Sequence, residues 1–143
     1  MNVAAILKSK GRAVATAKPE TTLLEISQRL AQKKIGAIII VGEAGKLAGI
    51  ISERDVIRAI SEHGAAALDQ PVSQVMTKAV ISCQETSVLD ELMELMTKGR
   101  FRHIPVMEDE ELVGIVSIGD VVKNHIAEVE MEVTAMRGYL ATG

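Results

Sequence analysis

The chain has 143 residues, enough for one ordinary domain or two very small ones, and its 48% apolar and 24% charged residues are those of a soluble globular protein. A charge sum of −3 and an almost complete lack of aromatic rings (no Trp, one Phe, one Tyr) argue against nucleic acid or an acidic membrane as partner. One cysteine, Cys83, an aliphatic run from Ala37 to Val41 far short of the ~20 residues that cross a bilayer, and a start without signal-peptide order together point to a reducing cytoplasm.

In chain order, an extended segment is expected at residues 14–17, followed by a helix that starts at Thr22 and carries Leu23, Ile26 and Leu30 at helical spacing. Gly36 is expected to end it in a left-handed conformation. The β-branched run Ile38-Ile39-Ile40-Val41, a polar turn at residues 43–46 and a second strand at 47–51 read as a hairpin, and a helix follows Ser52. Residues 62–71 then link to a second passage through the same order. An extended segment lies at 80–83, a helix starts at Ser87 with Leu89, Leu92, Met93 and Met96 on one face, and Gly99 is its expected stop. A strand at 103–106, the acidic turn at 108–111, a strand at 112–116 and a helix after Ser117 complete it. That last helix runs on through Glu128, Glu130, Glu132 and Met136, either as a capping tail or as a contact with another copy or a partner.

The two passages are copies. At an offset of 65 residues, positions 14–61 match 79–126 in 14 of 48 places without a gap. The expected class is therefore α+β, as two β-α-β-β-α repeats over residues 1–66 and 67–130, packed as a pseudo-twofold pair, with 131–143 as a helical tail. Each copy alone is of a size at which a core is marginal, so packing the sheets face to face would cover their open sides. The first seventy residues hold ten basic and seven acidic side chains, the remainder six and twelve, which leaves room for a small anionic ligand.

The repeated phrase Gly-Ile-(Ile/Val)-Ser-x-x-Asp, at Gly49 to Asp55 and Gly114 to Asp120, carries the chemistry. The glycine permits close backbone approach. Serine opens a helix whose first amides favour an anion, and the aspartate one turn on can accept two hydrogen bonds from a ribose diol. Met once, Ser-x-x-Asp reads as a capping box that satisfies only its own backbone. Met twice, in matching units, it reads as a binding corner.

On these residues the chain resembles a tandem pair of cystathionine-β-synthase (CBS) domains, a Bateman module, and Arg102-His103-Ile104-Pro105-Val106 is similar to the family's basic entry to its second strand. The resemblance implies two clefts between the repeats that bind adenine nucleotides. In one, Asp55 would hold the ribose and Ser52 would lie near the phosphate, with Arg102 and His103 of the opposite copy on the phosphate oxygens. The other would use Asp120 and Ser117. There Ala37 and Ile38 replace the basic pair, which leaves Arg54 as phosphate partner and makes the clefts unequal. Ala15, Thr16, Val80 and Ile81 would wall the adenine, while Ile39 and Ile104 read as core. AMP is the first candidate ligand, with ATP, ADP and NAD(H) behind it.

No enzyme signature competes. His63, His103 and His125 form no metal-ligand spacing, and His125 reads as a solvated helix residue. Cys83 reads as a small buried hydrophobe. The acidic run at 108–111 reads as a hydrated turn, and no phosphate-binding glycine loop is present. The expected protein is a stand-alone cytoplasmic regulator, not an enzyme and most simply a homodimer, that signals energy or redox state to an effector on another chain. A ligand-free structural or interaction module is the rival, and a small hydrolase working through His103 and Asp55 the more distant one.

Overall fold

The computed structural model describes residues 1–142. The elements in chain order are α1 (Val3–Lys10), β1 (Thr16–Ala17), α2 (Leu23–Lys33), β2 (Ala37–Val41), β3 (Leu47–Ser52), α3 (Glu53–His63), α4 (Leu89–Gly99), β4 (His103–Glu108), β5 (Glu111–Ser117) and α5 (Ile118–Thr142), with short 3₁₀ turns between. The order β-α-β-β-α is complete in the first repeat. In the second, the leading strand is reduced to a single parallel bridge between Cys83 and Val106. No helix among the described residues is long and apolar enough to cross a membrane.

The chain divides into two compact units. One comprises Ala13–Ile81 with Asp109–Leu112. Its sheet has the order β1-β2-β3, with Thr16 opposite Ile39 in parallel and Ile38 opposite Ile51 in antiparallel register. A bulge falls between Ile40 and Val41. Strand β2 is buried along Ala37 to Ile40, as a fully covered strand of β-branched residues should be. Leu23, Ile26 and Leu30 of α2 form the core with Ile38, Ile40, Ile51 and Val56. Thr22 caps α2 as expected, its hydroxyl accepting from the Glu25 amide at 3.2 Å. Ala67 and Val72 also lie in this core. The segment after residue 66 thus packs with the first repeat rather than with the second.

The other unit comprises Met1–Arg12, Ser82–Glu108 and Val113 onward. Helix α1 belongs here, in the unit formed by the second repeat, and the repeat comparison gives no sign of it. Its own sequence does: Asn2 accepts from the Ala5 amide at 3.1 Å, Val3, Ile6 and Leu7 share one face, and Gly11, at φ 99°, closes it by donating to the Leu7 carbonyl. The amides of Val3 and Ala4 donate to the carbonyls of Ser87 and Glu85, both at 2.9 Å, and Ile6 and Leu7 join Leu89, Leu92, Ile104 and Val116 in the core. Compact units and chain-order repeats therefore differ. Ile39 and Ile104 are fully buried, in line with their core reading.

Several expected helix ends move. The left-handed stop residues are Lys34 (φ 54°) and Arg100 (φ 55°), not Gly36 and Gly99; their amides close on the carbonyls of Leu30 and Met96. Gly99 is the last residue of α4, where a Cβ would lie 2.0 Å from the Phe101 ring, so its smallness makes room for that ring. The N-cap of α4 is Val88, which offers no side-chain cap, because the Ser87 hydroxyl accepts instead from the Gln84 amide at 3.0 Å. The last helix runs on as expected: α5 is continuous from Ile118 through Thr142 and includes the helical tail. Gly143 lies outside the described residues.

Gly49 permits the close backbone approach expected of it, and Gly114 makes room for a side chain. A Cβ at Gly49 would lie 2.6 Å from the Met76 sulfur and 2.8 Å from the Thr77 carbonyl oxygen, and at Gly114 it would lie 2.8 Å from a Leu7 methyl. Leu7 can turn aside; the Thr77 backbone cannot. G49A is accordingly expected to cost about 2–3 kcal/mol and G114A roughly 1 kcal/mol less, within the range for overpacking. Urea denaturation of the two variants reads the difference.

Candidate functional site

Each repeat ends its hairpin by turning directly into a helix, and the two turns are built alike. At the first, the Ser52 amide donates to Asp55 Oδ2 at 2.9 Å, the Ser52 hydroxyl donates to the same oxygen at 3.0 Å, and the Asp55 amide donates back to the hydroxyl at 3.3 Å. At the second, the corresponding distances between Ser117 and Asp120 are 2.9, 3.0 and 3.2 Å. The preceding strand fixes the helix as well: the Glu53 amide donates to the Gly36 carbonyl at 3.0 Å, and the Ile118 amide to that of Arg102 at 2.8 Å. Both motifs are thus complete capping boxes.

This corrects the expectation of free first-turn amides. Of the first three helical N–H groups in each copy, the first and third are bonded within the protein, which leaves those of Arg54 and Gly119. The aspartates retain more. All cap bonds fall on Oδ2, so Oδ1 stays available at a carboxylate whose rotamer is already fixed. Asp55 is only 12% exposed and its Oδ1 meets Arg58 at a loose 3.4 Å. A carboxylate held in this way can receive a paired donor without further ordering cost.

The surroundings of the two corners differ. At the second, Lys10 of α1 donates to Asp120 Oδ2 at 2.6 Å and to the Ile115 carbonyl at 2.9 Å. Burial acts to raise the Asp120 pKa, but the bonds from Lys10 and Ser117 outweigh it and hold the carboxyl below its ordinary 3.8. Repeat comparison missed Lys10 because it lies before the duplicated block. Its mark in the sequence is only a basic residue in a helix's last turn.

The other expected residues fall as follows. Arg102 is exposed and His103, the first residue of β4, is half-buried, both in the unit that holds Ser117 and Asp120. Their counterparts Ala37 and Ile38 are buried core. Arg54 is exposed beside Ser52. Ala15, Thr16, Val80 and Ile81 all lie in the unit that holds Asp55. Ala15 and Val80 are half-buried, whereas Thr16 and Ile81 are exposed, and the Ala15 carbonyl is engaged by the Ile39 amide at 3.0 Å. A surface hollow of about 470 Å³ between the end of α2 and the start of α3 is lined by Lys34, Gly36 and Glu53 but not by Ser52, Arg54 or Asp55.

The remaining candidates are inert or structural. Cys83 is buried, and desolvation, with Glu108 and Glu91 adding, pushes its thiol up to about 11, so almost no thiolate forms at neutral pH. His125 is half-buried rather than solvated, and its Nδ1 lies out of solvent without a partner among the described residues. Glu108 accepts from the Glu85 amide at 2.8 Å, whereas Asp109, Glu110 and Glu111 of the same run are exposed, as a hydrated turn requires. Among the described residues no group of three or more His, Cys, Asp or Glu is arranged to hold a metal ion.

Comparison with known proteins gives two matches to the CBS domain model, at residues 10–62 and 72–126. The chain is 36% identical over 147 aligned positions to the mitochondrial CBS domain-containing protein CBSX3 of Arabidopsis thaliana, covering 96% of this chain and 71% of that one. It spans 63% and 22% of the next two relatives, so some carry much additional sequence. A CBS-domain containing protein of Agrobacterium tumefaciens superimposes with a TM-score of 0.83 at 48% identity, over 85% of this chain and 91% of that one. The CBS domain pair of protein MJ0100, solved with 5′-methylthioadenosine and S-adenosyl-L-methionine, superimposes with a TM-score of 0.79 at 27% identity, over 90% and 98%.

The Lys10 contact predicts a measurable coupling. Because the folded pKa of Asp120 is depressed, its contribution to stability is present above the unfolded value near 3.8 and is lost as pH falls through the folded value. K10M should move the Asp120 titration, followed by carboxyl ¹³C NMR, back upward. In a double-mutant cycle with D120N the coupling should be about 1 kcal/mol.

Proposed function

Because the chain belongs to the CBS-domain family, we propose that it is a regulatory module in which each Ser-x-x-Asp corner holds an adenosine-containing ligand. The single observation that carries this reading is the duplicated corner: two aspartates held by the same cap bonds at Oδ2, each with Oδ1 outside the cap. Asp55 and Asp120 accept the ribose diol through Oδ1, and Ser52 and Ser117 hold the carboxylates in place. Arg54, Arg102 and His103 supply phosphate contacts, and Ala15, Thr16, Val80 and Ile81 supply apolar surface for the purine. AMP heads the ligand list, followed by ATP, ADP and NAD(H). The methylthioadenosine and S-adenosyl-L-methionine bound by the MJ0100 pair support the adenosine part and leave the 5′ substituent to be chosen by the local charges.

Lys10 makes the two corners unequal in kind. At Asp120 a fixed ammonium already lies beside the carboxylate, so a phosphate there gains a cation while the ribose must share the carboxylate. At Asp55 the corresponding cation is the more loosely placed Arg58. Occupancy reaches an effector protein through differential affinity for two arrangements of the module, with no chemical step.

Isothermal titration with AMP, ATP, NADH and 5′-methylthioadenosine tests this reading. D55A and D120A should each remove one binding event, or weaken it at least about tenfold, which is the loss of one charge-assisted pair; circular dichroism of each variant checks that the fold survives loss of the cap. R102A should weaken AMP but not methylthioadenosine, which carries no phosphate. Wild-type binding in both aspartate variants overturns the residue assignment, and no heat with any ligand favours a ligand-free interaction module.

A further inference from the structure

Helix α5 extends well past the point where the repeat ends, and its apolar residues do not all face inward. Val121 is buried in the core of its unit, and Asn124, His125, Ala127 and Glu128 are half-buried. From Val129 to Ala141 every residue is exposed, and along one face of the helix Val122, Ile126, Val129, Val133, Met136 and Leu140 are 50, 52, 43, 43, 67 and 70% exposed. Their spacing is 4, 3, 4, 3, 4, which is an unbroken heptad seam with Ile126, Val133 and Leu140 at a and Val122, Val129 and Met136 at d. The seam runs for about 27 Å of helix. A lone capping helix has no need of apolar residues at all six such positions on its wet side.

The flanking charges choose the occupant and its direction. The e positions are Lys123, Glu130 and Arg137, and the g positions are His125, Glu132 and Tyr139. In a parallel, in-register pair of α5 helices each g residue faces the e residue five positions on in the other copy. Glu132 then meets Arg137, twice by symmetry, and His125 meets Glu130. The antiparallel register that matches all six seam residues instead sets Lys123 against Arg137, Glu130 against Glu130 and Glu132 against Glu132. Every charged pair there is repulsive. β-Branched residues at the first two a positions also suit a two-stranded parallel coil.

We propose that α5 is a dimerisation element that pairs with α5 of a second copy as a parallel two-stranded coiled coil through residues 122–140. The inference is independent of any ligand at the Ser-x-x-Asp corners.

Sedimentation velocity on the full chain should show a dimer across the micromolar range. V129D/M136D, which alters only exposed positions, should be monomeric with unchanged circular dichroism. E132K should raise the dimer dissociation constant about tenfold at low salt, and E132K/R137E should recover most of the loss. Direction is read by oxidation: in a C83A background, I126C and L140C should each give a covalent dimer, because each position meets itself only in the parallel register. A monomeric wild-type chain overturns the proposal. So does a dimer that V129D/M136D leaves intact, which would place the interface on another face. Failure of both cysteine variants to cross-link while the chain remains dimeric overturns the parallel arrangement.

Discussion

The interaction on which this fold most depends is the turn from hairpin into helix, made twice by a serine and an aspartate three residues apart. A strand that leads straight into a helix leaves amides without partners at the point where the chain is most sharply bent. Here the Ser52 and Ser117 hydroxyls take one amide in each copy, carbonyls of the neighbouring strand region take another, and the aspartates return to the serine N–H. The pairing fixes the helix axis relative to the hairpin, and with it the positions of Val56 and Val121 in their cores. It also leaves two carboxylates with their rotamers set and Oδ1 of each outside the cap. Structural need and binding capacity are satisfied by different atoms of the same side chain.

Much of this was legible from residue order. The offset of 65 shows that the unit is duplicated, and β-branched runs separated by short polar turns mark both hairpins. Serine before a polar-then-apolar stretch marks the helix starts at 52 and 117 correctly. What escaped notice depended on contacts outside the repeat. Helix α1 has no counterpart sixty-five residues on, so the comparison that exposed the duplication also hid it, and with it Lys10. Ser87 looks like a cap, but its hydroxyl is taken by the nearer Gln84 amide. Gly36 and Gly99 look like helix stops, yet Lys34 and Arg100 adopt the left-handed conformation instead, and Gly99 is needed for the Phe101 ring.

The candidate site was legible to a different degree. Its serines and aspartates follow from the repeat, because duplication made a common cap signal informative. The inequality of the corners was visible in part, since Ala37 and Ile38 stand where Arg102 and His103 would repeat. The reason for the rest is spatial. A lysine 110 positions before Asp120 in the chain sits on its carboxylate, and no local pattern joins them. Similarly, the motif glycines mark points of close approach in the sequence, but the groups that approach them, Met76 and Thr77 at Gly49 and Leu7 at Gly114, are set by the fold.

The unbroken length of α5 has a mechanical consequence. Its first turn is clamped by the Ser117–Asp120 cap and by Lys10, whereas Leu140 lies twenty-two residues further along the same rod, about 33 Å away at the rise of an α-helix. A reorientation of that clamped turn by about 10° swings the distal end through roughly 6 Å, which is a full helical pitch. An ångström-scale adjustment around Asp120 therefore emerges at the far tip as a displacement large enough for another molecule to sense, with the helix itself acting as the amplifier.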